Sequence, residues 1–267
     1  MNSKRIGAVV IRQLFLLRHN WTRFFNIFLW IILDVFLWGF ITKYLDTVSG
    51  PEFSFVPVFL GAIVLWDFMT RVQQGVMLAF FEDMWTQNFM NYFASPLSIN
   101  EYIVGLVATS IITSTAGLAV MLLLAATVFS LSIFQLGFLL VPFILTLFIF
   151  GLALGVFACA IVLRLGPSAE WFAWPIPFIL GPLAGVFYPI ETLPAFLEPV
   201  ARIIPPSYVF EGMRGVLFHG EFSVTSLTIG IGLSLVYLLL AVLFFRSIYR
   251  HVLRSGLLSR FSAEMSS

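Results

Sequence analysis

Apolar residues run through this chain in long blocks, with polar residues gathered in the gaps between them. A helix needs roughly 20 predominantly apolar residues to cross a bilayer. Six blocks approach or exceed that length: Phe24 to Thr42, Phe53 to Val72, Tyr102 to Phe129, Gly137 to Leu163, Trp171 to Tyr188, and Ser223 to Phe245. The pattern predicts an all-α membrane protein with six transmembrane helices in a single domain, residues 1–267.

The segment before the first block has a different period. At about 100° per residue, Arg5, Arg12, His19 and Arg23 fall within about 40° of one another. Ile6, Val10, Leu14, Leu17 and Trp21 gather on another face. This predicts a basic amphipathic helix over residues 1–23, lying in the membrane interface. In the tail, residues 246–267, Arg246, Arg250 and Arg254 line one face of a helical extension. Both sets are placed to grip anionic headgroups of membrane lipids at about 1 kcal/mol each.

Composition agrees with the pattern. Apolar residues make up 60% of the chain and charged residues 10%, against about 25% charged in soluble domains, too few for a water-exposed surface. The one cysteine, Cys159, excludes an intramolecular disulfide framework and a cysteine-cluster metal site. The first 23 residues lack the short apolar core and small-residue cleavage site of a signal peptide.

Net charge is +1, and placement says more than the total. Lys4, Arg5, Arg12, Arg18 and Arg23 precede the first block without an acid among them, and Arg246, Arg250, Arg254 and Arg260 follow the last. The positive-inside rule then puts both termini in the cytoplasm of a multi-pass protein of the cell inner membrane. The inner connection carries Glu82, Asp83 and Glu101, against the usual bias, but acids weigh little in that rule. No internal repeat marks an inverted-topology carrier.

Chemistry-bearing motifs are missing. The sequence has no GxxxxGK[ST] phosphate loop, no HExxH and no GxSxG, and His19, His219 and His251 sit in separate segments. It is expected to be no enzyme and to hold no cofactor, metal or nucleic acid.

Three charges enter the apolar blocks: Asp34 in the first, and Asp67 with Arg71 in the second. A carboxylate at mid-bilayer costs about 2.5–3.5 kcal/mol on insertion scales, so it needs a partner or water. Asp67 and Arg71 are spaced to pair on one helix. Asp34 has no base near it in sequence, so it faces the protein interior or a wet path, either packed or in contact with substrate. Gly105, Thr109, Thr113 and Gly117, and likewise Gly151, Gly155 and Cys159, recur every fourth residue and predict close helix packing, with a subunit interface as the alternative.

Two gap segments carry distinctive patterns. Residues 80–100 place Trp85, Phe89 and Phe93 four apart beside Glu82, Asp83, Gln87, Asn88 and Asn91. Pro96 then breaks the helix, and Ser98 with Glu101 forms a capping-box pattern for the next one. Such a helix either anchors in the interface or fits a partner's groove. Residues 189–222 carry Pro189, Pro194, Pro199, Pro205 and Pro206 among apolar side chains. No straight helix crosses such a run. Short helices over Pro194–Ile204 and Tyr208–Phe218, with a Glu211–Arg214 pair, predict a re-entrant element at the outer face, tolerated where it packs on protein or lines a cavity.

The acidic "FED", the "SPLSINEY" turn and the run "GVFYPIETLPAFLEPVARIIPPSYVFEGMRG" together resemble the type-2 ABC transporter permease family, and the likeness covers the whole chain. The resemblance implies an exporter subunit moving a drug, polysaccharide or lipid-linked compound. It implies two cytoplasmic ATPase chains that bind ATP and Mg, and a second permease copy, as a homodimer. It makes Glu82, Asp83, Trp85, Phe89, Phe93, Pro96 and Ser98 the ATPase-coupling segment. It makes Pro189, Pro194, Pro205, Pro206, Glu211 and Arg214 the external gate. Asp34, Asp67 and Arg71, read from their positions in the apolar blocks, are pathway or structural charges. The alternative is an ion- or proton-coupled carrier without an ATPase, using Asp34 and Asp67 as ion sites.

Overall fold

A computed structural model describes residues 1–19, 21–49, 56–86, 88, 92, 95–131 and 137–255. Among these the chain is helical, without strands. In order come α1 (Ser3–His19), α2 (Trp21–Ser49), α3 (Gly61–Trp85), α4 (Ile99–Phe129) and α5 (Leu140–Leu165). The short α6 (Glu170–Ala173), α7 (Ile176–Leu183), α8 (Glu198–Arg202) and α9 (Pro205–Arg214) follow, and α10 (Val224–Ser255) closes the described chain.

Among the described residues, three stretches are long and apolar enough to cross a membrane by themselves: α4, α5 with the turn before it from Gly137, and α10. The outward face of α10 shows what surrounds them. Leu235, Val236, Leu239, Leu240 and Leu243 are exposed along it, an arrangement stable in lipid and not in water. This is a multi-pass membrane protein.

Helix α5 is the centre of the packing. It lies along α10 on one side and α3 on the other; α3 in turn lies along α4, and α4 carries both α1 and α2. The small residues make these approaches possible. A Cβ on Gly151 would stand 2.7 Å from the Met69 carbonyl oxygen, and one on Gly155 2.9 Å from that of Gln73. Cys159 continues the line against Val76. On α4, Gly105 admits Val9 of α1, and Gly117 admits Ile31 of α2 and the stem of Arg71. Both lines of small residues therefore serve packing within the chain. Hydroxyls add interhelix bonds: Ser110 donates to the Val72 carbonyl at 2.9 Å, and Ser234 to that of Thr146 at 3.3 Å.

The stretch Trp171–Tyr188, expected as one span, is broken. Its helices α6 and α7 are separated at Trp174–Pro175, and Gly185 turns the chain with φ +65°. Pro175, Pro177 and Pro182 explain the break, since each removes a backbone donor. The second block differs at both ends. A π-helical turn at Val56–Leu60 leads into α3, which runs on to Trp85 instead of stopping near Val72. Its last turns therefore carry Glu82, Asp83 and Trp85 on the same rigid rod as Asp67 and Arg71.

The basic residues of α1 meet acids of the same chain. Val9 and Gln13 are its buried positions, while Ile11 and Phe15 are exposed. Arg5 and Arg12 stay partly exposed while pairing with Glu101 of α4 and Asp83 of α3.

Candidate functional site

At the end of the bundle where α1 packs, Asp83 is fully buried and is the hub of a polar junction. Arg12 of α1 donates to its Oδ1 at 2.5 Å, Tyr102 of α4 donates to Oδ2 at 2.7 Å, and Gln13 and Tyr92 reach it at 3.4 Å each. The Arg12 guanidinium also lies over the Tyr92 ring, 5.3 Å from its centroid. Burial pushes the Asp83 carboxyl up from the ordinary carboxylate range, and the bonds from Tyr102 and Arg12 act against that. Burial and the Asp83 charge push the Tyr92 phenol up.

A second knot forms at the start of α4. Ser98 accepts from the Glu101 amide at 3.3 Å, and Glu101 accepts from the Ser98 amide at 3.0 Å, which completes the capping box read from sequence. The same carboxylate accepts from the Asn2 amide at 2.7 Å and faces Arg5 at 3.5 Å. Arg5 donates to the Pro96 carbonyl at 2.7 Å. The amino-terminal helix is thus tied by one carboxylate to α3 and by another to α4.

Of the side chains expected to contact an ATPase, Asp83 has no surface to offer and acts inside the junction. Trp85 is 45% exposed, next to Phe81, and Glu82 is half-buried. Phe89 and Phe93 lie outside the described residues. Gln13, Tyr92 and Tyr102 carry no signal of this role in the sequence, and Arg5 and Arg12 stand out there only as a basic face and as topology charges. The signal that could have found them was the excess of acid between the second and third apolar blocks, against an acid-free basic segment at residues 1–23.

Deeper in the bundle, Arg71 donates to Asp67 at 2.8 Å, as the spacing predicted. Asp34 of α2 lies within electrostatic reach of both. Two carboxylates from two helices therefore share the field of one guanidinium, whose stem lies against Gly117.

At the opposite end, Pro205 and Pro206 open α9 rather than interrupt a helix, the position where a missing amide costs least. Glu211 accepts from the Ile190 amide at 2.8 Å and from Arg214 at 2.7 Å. Arg214, buried, also donates to the Gly185 carbonyl at 2.7 Å. The pair fastens α9 to the turns around Gly185 and Pro189. Pro194 lies in the connection before α8, where its carbonyl accepts from Leu197. Beside this clasp Glu191, Arg202, Tyr208, Glu211 and Glu221 line an open cavity of about 400 Å³.

Residues 5–218 match the family model described as ABC-2 type transporter. The chain belongs to that family. Among curated proteins, no sequence matches it. An ABC-2 chain is the transmembrane permease subunit of an ABC transporter, a transport part and not a catalytic one, and it works in association with an ABC ATPase. The ABC-2 match takes in the α1 junction, the intramembrane charges and the α9 clasp alike.

Proposed function

We propose that this chain is the membrane subunit of an ATP-driven exporter, in which two copies form the pathway and two separate ATPase chains drive it from the cytoplasm. Its cargo is a drug, polysaccharide or lipid-linked compound, moved by alternation between inward-open and outward-open packing. The chain contributes no covalent chemistry.

The observation that carries the reading is the junction at Asp83. An ATPase pressing on the segment after Trp85 acts on a point where α1, α3 and α4 are held by charge-assisted hydrogen bonds, which are about twice as strong as neutral ones. Movement of that point is transmitted along α3 to the Asp67–Arg71 pair, 12 to 16 positions away on one helix. At the other end the segment of residues 189–222, fastened by Glu211 and Arg214, serves as the external gate.

The test is co-purification of the partner ATPase with a Trp85→Ala, Phe89→Ala double variant at matched expression. Interface aromatics of this kind cost 2 kcal/mol or more on truncation, roughly a thirtyfold loss of affinity. Undiminished recovery with normal substrate-stimulated hydrolysis removes these side chains from the interface. Transport by the wild-type chain with no ATPase present overturns the exporter reading in favour of an ion- or proton-coupled carrier.

A further inference from the structure

At the inner end of α10, Leu243, Arg246, Ser247, Arg250, His251 and Arg254 line an open groove of about 460 Å³. At about 100° per residue they share one side of the helix. The buried positions Ala241, Phe245, Ile248 and Val252 fall on the opposite side. The arginine face therefore points away from the rest of the chain. Arg246 donates to Asn100, in the first turn of α4, at 3.2 Å. Arg250 and Arg254 have no hydrogen-bond or ion-pair partner among the described residues, and α10 contains no acid that could supply one.

Toward the membrane, the same side of α10 continues as Val236, Leu239, Leu240 and Leu243, all exposed. A cationic groove thus runs without interruption into an apolar strip. The matching ligand has an anionic head and hydrocarbon tails. We propose that this face binds an anionic glycerophospholipid of the inner leaflet, its phosphate between Arg250 and Arg254 and its acyl chains along Leu239, Leu240 and Leu243.

The contrast with α1 strengthens the assignment. Arg5 and Arg12 are engaged by Glu101 and Asp83, so the basic residues at the two ends of the chain serve different purposes. Guanidinium groups suit phosphate because their planar fork gives two parallel hydrogen bonds. An acidic patch on a soluble partner would match the arginines and leave the leucines unmatched. Through Arg246 and Asn100, the bound lipid stands one contact from the capped start of α4.

The experiment is native mass spectrometry of the delipidated protein in detergent, titrated with phosphatidylglycerol or with phosphatidylcholine. The wild-type chain is expected to retain phosphatidylglycerol in preference, and the preference to fall as salt rises. Each arginine contributes about a fivefold change in affinity. Arg250→Gln with Arg254→Gln is therefore expected to lower phosphatidylglycerol retention by about 25-fold and leave phosphatidylcholine unchanged. The Arg250→Lys, Arg254→Lys variant keeps the charge and most of the preference. Equal retention of the two lipids by the wild type, or a salt-independent preference, overturns the site; these readings need no variant to fold. Loss of ATPase co-purification in the glutamine variant, with lipid retention intact, assigns the stripe to the ATPase instead and overturns the proposal.

Discussion

The Arg12 guanidinium lies 2.5 Å from the Asp83 carboxylate and joins two helices whose residues are 71 positions apart. Asp83 is fully buried, whereas the Arg12 side chain is 30% exposed, so the two halves of the pair are not equivalent. Arg12→Ala strands a carboxylate that only Tyr102, Gln13 and Tyr92 then stabilise. Removing one partner of a buried pair costs about 3–5 kcal/mol, and the remaining donors place this case near the lower end. Asp83→Asn leaves Arg12 free to turn into water and costs about 1.5–3 kcal/mol, the worth of a hydrogen bond to a charged group. Thermal unfolding in detergent is expected to rank Arg12→Ala below Asp83→Asn. Equal losses would mean that the charge at Asp83 is unimportant and that packing alone holds α1.

The membrane class was legible because apolar blocks need no partner to be recognised. Helix ends were less so, since nothing in the sequence near Val72 tells α3 to stop or continue. The charge of Asp83 marks it in the sequence, but its bonding partners are not marked there as such. Its bonding partners are Tyr102, 19 positions on, and Arg12, on the helix that packs through Val9 against Gly105 of α4. The break in Trp171–Tyr188 was written in Pro175, Pro177 and Pro182, but apolarity over the same residues outweighed them in the reading. The capping box at Ser98 and Glu101 was found because both of its hydrogen bonds are local.

The glycine lines separate into two kinds of site. At Gly151 and Gly155 an added Cβ meets backbone oxygens of α3 at 2.7 and 2.9 Å, which cannot turn aside. Alanine there is expected to destabilise by about 1–3 kcal/mol through overpacking. At Gly117 the nearest atoms are the Ile31 Cδ1 at 3.3 Å and the Arg71 Cδ at 3.5 Å, both on flexible side chains. Alanine there is expected to be close to neutral, helped by its better helix propensity. Melting temperatures of the three single variants in one detergent decide the matter, and a Gly117→Ala loss as large as the other two would contradict the distinction.

At the start of α4, Ser98 and Glu101 are not interchangeable members of one cap. Ser98→Ala removes one acceptor, from the Glu101 amide, and is expected to cost about 1 kcal/mol. Glu101→Ala removes the acceptor of two backbone amides, Ser98 and Asn2, together with the partner of Arg5. Only the second change should release α1. Hydrogen exchange of the peptide covering residues 1–19 is expected to rise in Glu101→Ala and to stay near wild type in Ser98→Ala. A rise of the same size in both would assign the α1 attachment to the cap itself.

The intramembrane charges give the most direct separation of folding from transport. Arg71 is set against Asp67 at 2.8 Å and lies within reach of Asp34. Arg71→Ala leaves two carboxylates without it, each carrying about 2.5–3.5 kcal/mol of insertion cost, and is expected to collapse the yield of assembled protein. Pairing that loss with a neutral partner, as in Asp67→Asn with Arg71→Gln, removes one of those costs and should recover part of the yield. Asp34→Asn is different in kind, because it deletes a charge and leaves the Asp67–Arg71 pair whole. Its yield is expected to equal or exceed wild type. If Asp34 faces the transport pathway, substrate export by this variant falls at matched protein level, and the Arg71-dependent folding signal does not change. The measurement is export per assembled transporter, with ATPase activity recorded beside it. Export at the wild-type rate would make Asp34 a packing residue, and a yield that drops in step with export would remove it from the pathway.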